Sequence, residues 1–197
     1  MTVYLATGNA GKVRDFAGVP ALDLRPLPSF AALPPVEETG TTFEANARLK
    51  AEHYSRLAPV HWLVADDSGL EVDALGGAPG VHSARFAGRH GDDEANNRLL
   101  LERLDGIPRE RRSARYRCVL ALAREGAIVQ TFEGACEGLI LEHGRGSGGF
   151  GYDPLFFSTA AQASFAALPL ERKAALSHRG AAARALLEWL RLHVEED

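Results

Sequence analysis

The chain has 197 residues, 46% of them hydrophobic, enough to bury a sizeable core in one domain, with room for two lobes that share a sheet. A formal net charge of -4 with 24% charged residues argues against a nucleic-acid partner, because a protein built to neutralise a phosphate backbone is normally basic. No apolar run approaches the length of a membrane span, and the apolar start, residues 1–6, is too short for a signal peptide, so a cytoplasmic protein without a membrane partner is expected.

In chain order, residues 3–6 form a short β-branched and apolar run that stops at Thr7-Gly8-Asn9-Ala10-Gly11-Lys12, which predicts a strand feeding a tight glycine turn and a short helix from Lys12. Pro20, Pro26, Pro28, Pro34 and Pro35 then forbid a long helix and leave a brief strand over residues 22–27. Thr41, Thr42, Phe43 and Glu44 have capping-box spacing, and good helix formers continue to Leu57. The apolar run 62–65 predicts a strand ending at Asp66-Asp67-Ser68-Gly69, with 70–75 extending it beyond a bend. After a Gly/Pro loop over 76–80, Asp92 or Asp93 caps a helix running to Leu104.

Residues 115–124 alternate like a half-buried strand, and Glu125-Gly126 turns it into a second long strand over 128–141, giving an antiparallel pair. A glycine-rich loop over 144–151 leads to a short strand at 154–157. The segment 177–194 closes the chain as an amphipathic helix with Ala182, Leu186, Leu187, Trp189 and Leu190 on its apolar face. Strand-helix-strand starts combined with a long hairpin predict an α/β fold with a mixed parallel and antiparallel central sheet. Cys118 and Cys136 lie in strand-like runs without CxxC spacing, so neither a disulfide nor a zinc site is expected.

Only Lys12, Lys50 and Lys173 are lysines; every other basic side chain is arginine. A compact ammonium differs from a planar guanidinium, and each lysine falls in or beside a segment with chemical potential. The strand-to-helix turn at Thr7 to Lys12 offers backbone amides and a cation to an anion, or simply reverses the chain. It is not a Walker A loop, since Ala6 stands where the first glycine is needed and Val13 replaces the Ser/Thr.

Asn46 and Lys50, four apart, share one helix face, with Glu37 and Glu38 just upstream; a solvated face with an acidic start explains the same pattern. Asp66 and Asp67 end an apolar run where open α/β sheets place ligands, and oxygen donors beside phosphate suit Mg²⁺. Strand alternation aims the two carboxylates at opposite faces, so one is expected to meet the metal; a polar turn is the simpler alternative.

Phe150-Gly151-Tyr152-Asp153-Pro154 combines two aromatic rings, a free carboxylate and close backbone approach, the means of holding a flat base. Lys173 and Ser177-His178-Arg179-Gly180 add donors near the start of the last helix. Arg85 reaches either a ligand or a surface ion pair, and Asp92-Asp93-Glu94 reads as a helix start. No segment supports a Cys-His nucleophile pair.

These five segments, in this order over residues 3–192, resemble the inosine triphosphate pyrophosphatase family, in particular its bacterial members. The resemblance implies an ITPase-like fold: a twisted central sheet flanked by helices, and two lobes with the active-site cleft between them. It implies a Mg²⁺-dependent homodimer that hydrolyses the non-standard purine nucleotides dITP/ITP and XTP/dXTP to the monophosphate and pyrophosphate, cleansing the nucleotide pool.

Carried over by position, Asp67 is the catalytic acid/base and a metal ligand, with Glu38 the second ligand. Thr7, Gly8, Asn9, Ala10, Gly11, Lys12, Ser68, Phe150, Gly151, Tyr152, Asp153, Lys173, His178 and Arg179 are substrate contacts, supported by Asn46 and Lys50. The short, proline-rich segment after Lys12 and Phe86, in place of a common tyrosine, depart from the family pattern. The competing readings are a Maf-type pyrophosphatase of modified pyrimidine nucleotides or dTTP, which the Ser-His-Arg-Gly segment disfavours, a nucleotide sensor that does not hydrolyse, and a phosphomonoesterase.

Overall fold

A computed structural model describes residues 2–59 and 61–194. Strand β1 (Val3–Leu5) runs into helix α1 (Ala10–Ala17), and β2 (Leu24–Pro26) follows. Helix α2 (Phe43–Leu57) leads to the long strand β3 (Trp62–Val72). Helix α3 (Asp93–Arg103) precedes the hairpin of β4 (Ser113–Arg124) and β5 (Ala127–Ile140). Two short strands, β6 (Phe156–Ser158) and β7 (Ala163–Ser164), and two helices, α4 (Leu170–Leu176) and α5 (His178–His193), complete the chain.

The seven strands form one sheet in the order β2-β1-β3-β4-β5-β6-β7. The pairs of β1 with β2 and β3 are parallel, and every pair from β3 onward is antiparallel. The mixed sheet expected from the sequence is therefore present. At the β4–β5 turn both Glu125 and Gly126 have positive φ, 54° and 80°, the backbone of a type I′ hairpin whose twist matches that of the flanking strands.

One expectation fails in an informative way. Strand β3 does not end at Asp66; it runs unbroken through residues 66–69, because Asp66, Asp67, Ser68 and Gly69 pair with Leu120, Val119, Cys118 and Arg117 of β4. What ends there is β1, whose last partner on β3 is Val64. From residue 65 until Glu71 bridges to Pro79, β3 has a strand neighbour on only one side, so its two aspartates lie where the parallel half of the sheet gives out.

Side-chain alternation along β3 decides what each face packs against. Leu63 and Ala65 join Phe43, Ala47, Ala51 and Tyr54 of α2 in one apolar cluster. Val64, on the other face, packs with Phe16 of α1 and Ala182 and Leu186 of α5. A third cluster, built on Leu70, Leu100, Tyr116, Phe156 and Phe165, forms the second lobe at the far end of β3. Phe86 packs on this third cluster. The ledge between the lobes is the polar stretch of β3.

The helix starts follow local chemistry. Asn9 caps α1, its Oδ1 accepting from the amides of Gly11 and Lys12 at 2.8 and 3.1 Å, so the helix begins at Ala10, earlier than expected. Thr42 caps α2 and Asp92 caps α3 in the same manner. Helix α4 was not foreseen; Pro169 precedes it, and Ser177 ends it and caps α5.

Candidate active site

A cleft of about 450 Å³ opens between the lobes over the exposed edge of β3. Asp66 and Asp67 sit at its floor, 2% and 6% exposed, and alternation sends their carboxylates to opposite faces.

On the α2 face, Asp67 accepts from Asn46 Nδ2 at 3.2 Å and from Lys50 Nζ at 3.1 Å. Lys50 Nζ also lies 3.2 Å from Glu38. Asn46 turns its Oδ1 to the Gly40 amide at 2.7 Å, fixing the loop that carries Glu38 to the helix that carries Lys50. Burial lifts the Asp67 carboxyl above the usual carboxylate range, Lys50 and Lys12 pull it back, and the negative charges of Glu38 and Asp66 add to the rise. Burial works against the Lys50 ammonium too, but Asp67, Asp66 and Glu38 outweigh it and hold its pKa above the ordinary lysine value.

Two carboxylates meeting on one ammonium is a donor set with a cation already at its centre. Two carboxylates converging on one point are hard oxygen donors of the kind that would hold Mg²⁺. Among the described residues no group of three or more His, Cys, Asp or Glu side chains forms an all-protein cage. Mg²⁺ held by one or two carboxylates and completed by substrate oxygens matches this pattern.

On the opposite face the charges are closed on one another. Asp66 bonds Lys12 Nζ at 3.0 Å and the Ser68 hydroxyl at 3.0 Å. Arg179 donates to Ser68 Oγ at 2.8 Å and to Asp15 at 2.9 Å. Lys173 Nζ spans Asp15, at 2.9 Å, and Asp153, at 2.7 Å. Three carboxylates, Asp15, Asp66 and Asp153, thus face three cations, Lys12, Lys173 and Arg179. Burial raises Asp66, yet the fields of Lys12, Arg179 and Lys50 together bring it below the usual range. Burial raises Asp153, and Lys173 offsets that only in part.

The aromatic wall stands above this network. The Phe150 ring carries the Arg179 guanidinium at 4.9 Å and Lys173 Nζ at 5.3 Å from its centroid. Gly11 makes this possible, since a Cβ there would come within 2.5 Å of that ring. Asp153 Oδ2 accepts from the Phe150 amide at 3.0 Å, and the Gly151 amide donates to Asp93 of α3 at 2.6 Å. Tyr152 is buried and donates its hydroxyl to Ser83 O at 2.8 Å.

The structure brings Thr7, Gly8, Asn9, Lys12, Glu38, Lys50, Asp67 and Ser68 to the cleft, together with Phe150, Gly151, Tyr152, Asp153 and Arg179. Ala10 and Gly11 form the first turn of α1 behind it. Asn46, Lys173 and His178 are buried behind the lining, at 1%, 4% and 1% exposure. His178 stacks on Tyr116 at 4.5 Å with neither ring nitrogen hydrogen-bonded among the described residues, and burial drives its pKa well below 6.5, leaving a neutral ring.

Two expectations need correction. Asp153 is not a free carboxylate, because Lys173 and the Phe150 amide hold it. The amides of Gly11 and Lys12 are occupied by Asn9 and not turned to an anion. Asp15 escaped the sequence reading and Asp93 was read only as a helix start: their partners lie 158 and 58 positions away, and no local spacing marks those pairings. A thiolate nucleophile is disfavoured by burial, which drives the Cys118 thiol far above its ordinary pKa.

Comparison with known proteins agrees with this architecture. A profile of the Ham1 family matches residues 3–189. The chain belongs to the Ham1 family. Among its relatives, the dITP/XTP pyrophosphatase of Acidobacterium capsulatum is 51% identical, the alignment covering 96% of this chain and 98% of that one. The dITP/XTP pyrophosphatase of Thermus thermophilus is 52% identical over 95% of this chain and 91% of its own. A Ham1 protein of Coxiella burnetii superposes with a TM-score of 0.84 at 36% identity, covering 98% of this chain and 100% of the other. The Ham1 fold is thus common to chains that differ at nearly two thirds of their positions.

Proposed function

We propose that this Ham1-family chain is a nucleoside triphosphate pyrophosphatase that converts the non-standard purine nucleotides dITP/ITP and XTP/dXTP to the monophosphate and pyrophosphate with Mg²⁺. The observation that carries the reading is one cleft with two unlike walls: the Glu38, Lys50 and Asp67 cluster on one side, and Phe150 backed by Arg179 on the other. The names of its relatives, dITP/XTP pyrophosphatases at about half identity over nearly the whole chain, support the same substrate class.

Glu38 and Asp67 would hold Mg²⁺, which supplies positive charge to the triphosphate oxygens. Asp67, its carboxyl lifted by burial, accepts a proton from water as the water oxygen bonds to the α-phosphorus. The bond from the α-phosphorus to the bridging oxygen breaks, and pyrophosphate departs with the electron pair. Lys12 at the start of α1 offsets charge on the reacting phosphates. No covalent intermediate is required.

On the other wall the purine lies against Phe150. Arg179 lines the cleft with its guanidinium over Phe150, and a donor there favours the 6-oxygen of hypoxanthine or xanthine over the amino group of adenine. Lys173 and His178 act from behind the lining, Lys173 by fixing Asp153 and His178 by stacking on Tyr116. Among the described residues no helix is long and apolar enough to cross a membrane. A cytoplasmic homodimer belongs to the same proposal, and light scattering tests the dimer.

The deciding assay incubates the protein with Mg²⁺ and ITP, XTP, dTTP, ATP or GTP and quantifies pyrophosphate against orthophosphate. Pyrophosphate from ITP and XTP ahead of the others is the expected result. Release from dTTP alone supports the Maf-type alternative, orthophosphate a phosphomonoesterase, and neither product from any nucleotide a sensor.

A further inference from the structure

Four lysine or arginine side chains line the cleft: Lys12, Lys50, Arg85 and Arg179. Lys12 is bound to Asp66, Lys50 to Glu38 and Asp67, and Arg179 to Asp15. Arg85, half-buried at the end of the 3₁₀ turn Gly80–Arg85, has neither a hydrogen-bond nor an ion-pair partner for its guanidinium among the described residues.

The backbone around it is nevertheless fixed from several directions. Ser83 Oγ accepts from the Leu70 amide of β3 at 2.9 Å and donates to Gly80 O at 2.6 Å, while Ser83 O accepts from Tyr152 at 2.8 Å. The Ala84 carbonyl receives the Gly91 amide at 2.8 Å and Asn96 Nδ2 at 3.3 Å. Asn96 Oδ1 accepts from Ala87 at 2.8 Å, and Gly88 donates to the Arg85 carbonyl at 2.8 Å. A solvated surface arginine requires no such scaffold; a five-donor group kept ready for an anion does.

The turn also lies on a definite face of the sheet. Gly69 follows Asp67 at the two-residue period of the strand, and a Cβ on it would strike Ser83 Oγ and come within 2.9 Å of the Phe43 ring of α2. Arg85 therefore belongs to the face that bears Glu38 and Asp67, and it is the one unpaired Lys or Arg in the cleft among the described residues. A ligand that meets two carboxylates through a cation and an arginine directly is a polyphosphate, and the fork of a guanidinium matches its oxygens.

We infer that Arg85 binds the substrate's polyphosphate beyond the bond that is cut, on the pyrophosphate that leaves. The inference rests on the pyrophosphatase reading, and two measurements separate them. In the first, calorimetry with inorganic triphosphate and Mg²⁺ compares the unaltered protein with Arg85→Ala and Arg85→Lys, each checked for an unchanged melting temperature. Arg85→Ala should bind triphosphate about tenfold more weakly, the loss of a charge-assisted contact, with Arg85→Lys between.

In the second measurement, Arg85→Ala should raise KM for ITP by a similar factor while the affinity for IMP, which lacks the leaving group, stays constant. Equal triphosphate affinity in Arg85→Ala and the unaltered protein overturns the inference, as does an equal loss for IMP. If the unaltered protein binds triphosphate but releases no pyrophosphate from ITP or XTP, the functional reading fails while the calorimetric comparison still decides Arg85.

Discussion

The two faces of β3 differ in electrical completeness, although their carboxylates are adjacent in the sequence. Around Asp66, cations and carboxylates match three to three, and the cluster is paired by direct contacts of 2.7 to 3.0 Å. Around Asp67, two carboxylates share the single ammonium of Lys50, and Arg85 has no partner among the described residues. A neutral, cross-linked network gains rigidity and suits a wall that must hold a purine in one geometry. An under-neutralised one stores a demand for positive charge and donors that metal and polyphosphate satisfy. The adjacent pair thus divides labour by strand alternation alone.

The largest effect that sharpens this comparison is on turnover. Asp67→Asn removes the proton acceptor while leaving an amide of the same size, and kcat for ITP should fall about a thousandfold, with nucleotide binding retained. Steady-state pyrophosphate release checks it; undiminished kcat removes Asp67 from the role of base.

The next effect breaks the closed face. Asp15, 5% exposed, bonds both Lys173 and Arg179. Asp15→Ala leaves two buried cations short of a counter-charge and should cost about 3 kcal/mol in denaturant unfolding, within the range for breaking a buried pair. A loss no larger than that of an exposed ion pair contradicts the idea of a rigid, interdependent wall.

Both faces owe their members to different kinds of information in the chain. Two helices announced themselves, because Thr42 and Asp92 sit in cap patterns that act over three or four residues, whereas the Asn9 cap was read only as part of a glycine turn and α1 was placed two residues late. The long hairpin was legible for the same reason: Glu125-Gly126 lies between two alternating runs. Strand β3 was misread at residue 66, since a pair of aspartates looks like a terminus unless one knows that β4 pairs across it. Helix α4 was missed because seven residues between Pro169 and Ser177 carry little periodic signal.

At the site, motif residues such as Glu38, Asp67 and Arg179 could be named from sequence, but their pairing could not. Asp15 looks like any exposed helical acid until α5 and α4 fold over it, and Asp153 looks free until Lys173 arrives. Long-range ion pairing has no local signature. It is also what separates the three lysines: Lys50 pairs on the Asp67 face, while Lys12 and Lys173 pair on the Asp66 face, Lys173 behind the lining and Lys12 on the cleft wall, where it can still meet phosphate.

A smaller effect reports on the closed face through pH. Burial, then Arg179, Lys173 and Lys12, hold the His178 pKa well below 6.5 in the folded protein, while the unfolded chain titrates at the ordinary value. Below pH 6.5 the unfolded state therefore binds a proton that the folded state refuses, so stability falls as pH drops. His178 alone contributes a slope of up to about 1.4 kcal/mol per pH unit. Unfolding free energies measured between pH 7 and 5 should show a shallower slope in His178→Phe; an unchanged slope contradicts a buried neutral imidazole.

The claim that one aspartate is structural and its neighbour chemical is tested most directly by unfolding Asp66→Asn and Asp67→Asn in denaturant, side by side at neutral pH. Surrounding cations hold the Asp66 carboxyl ionised, with its pKa below the unfolded value, so that charge stabilises the fold above the ordinary carboxylate range. Asp67 is shifted upward by burial, so its ionised form gives no such gain at neutral pH. The account predicts a loss of about 3 kcal/mol for Asp66→Asn and a change within about 1 kcal/mol for Asp67→Asn. Equal losses, or a larger loss at Asp67, would contradict it.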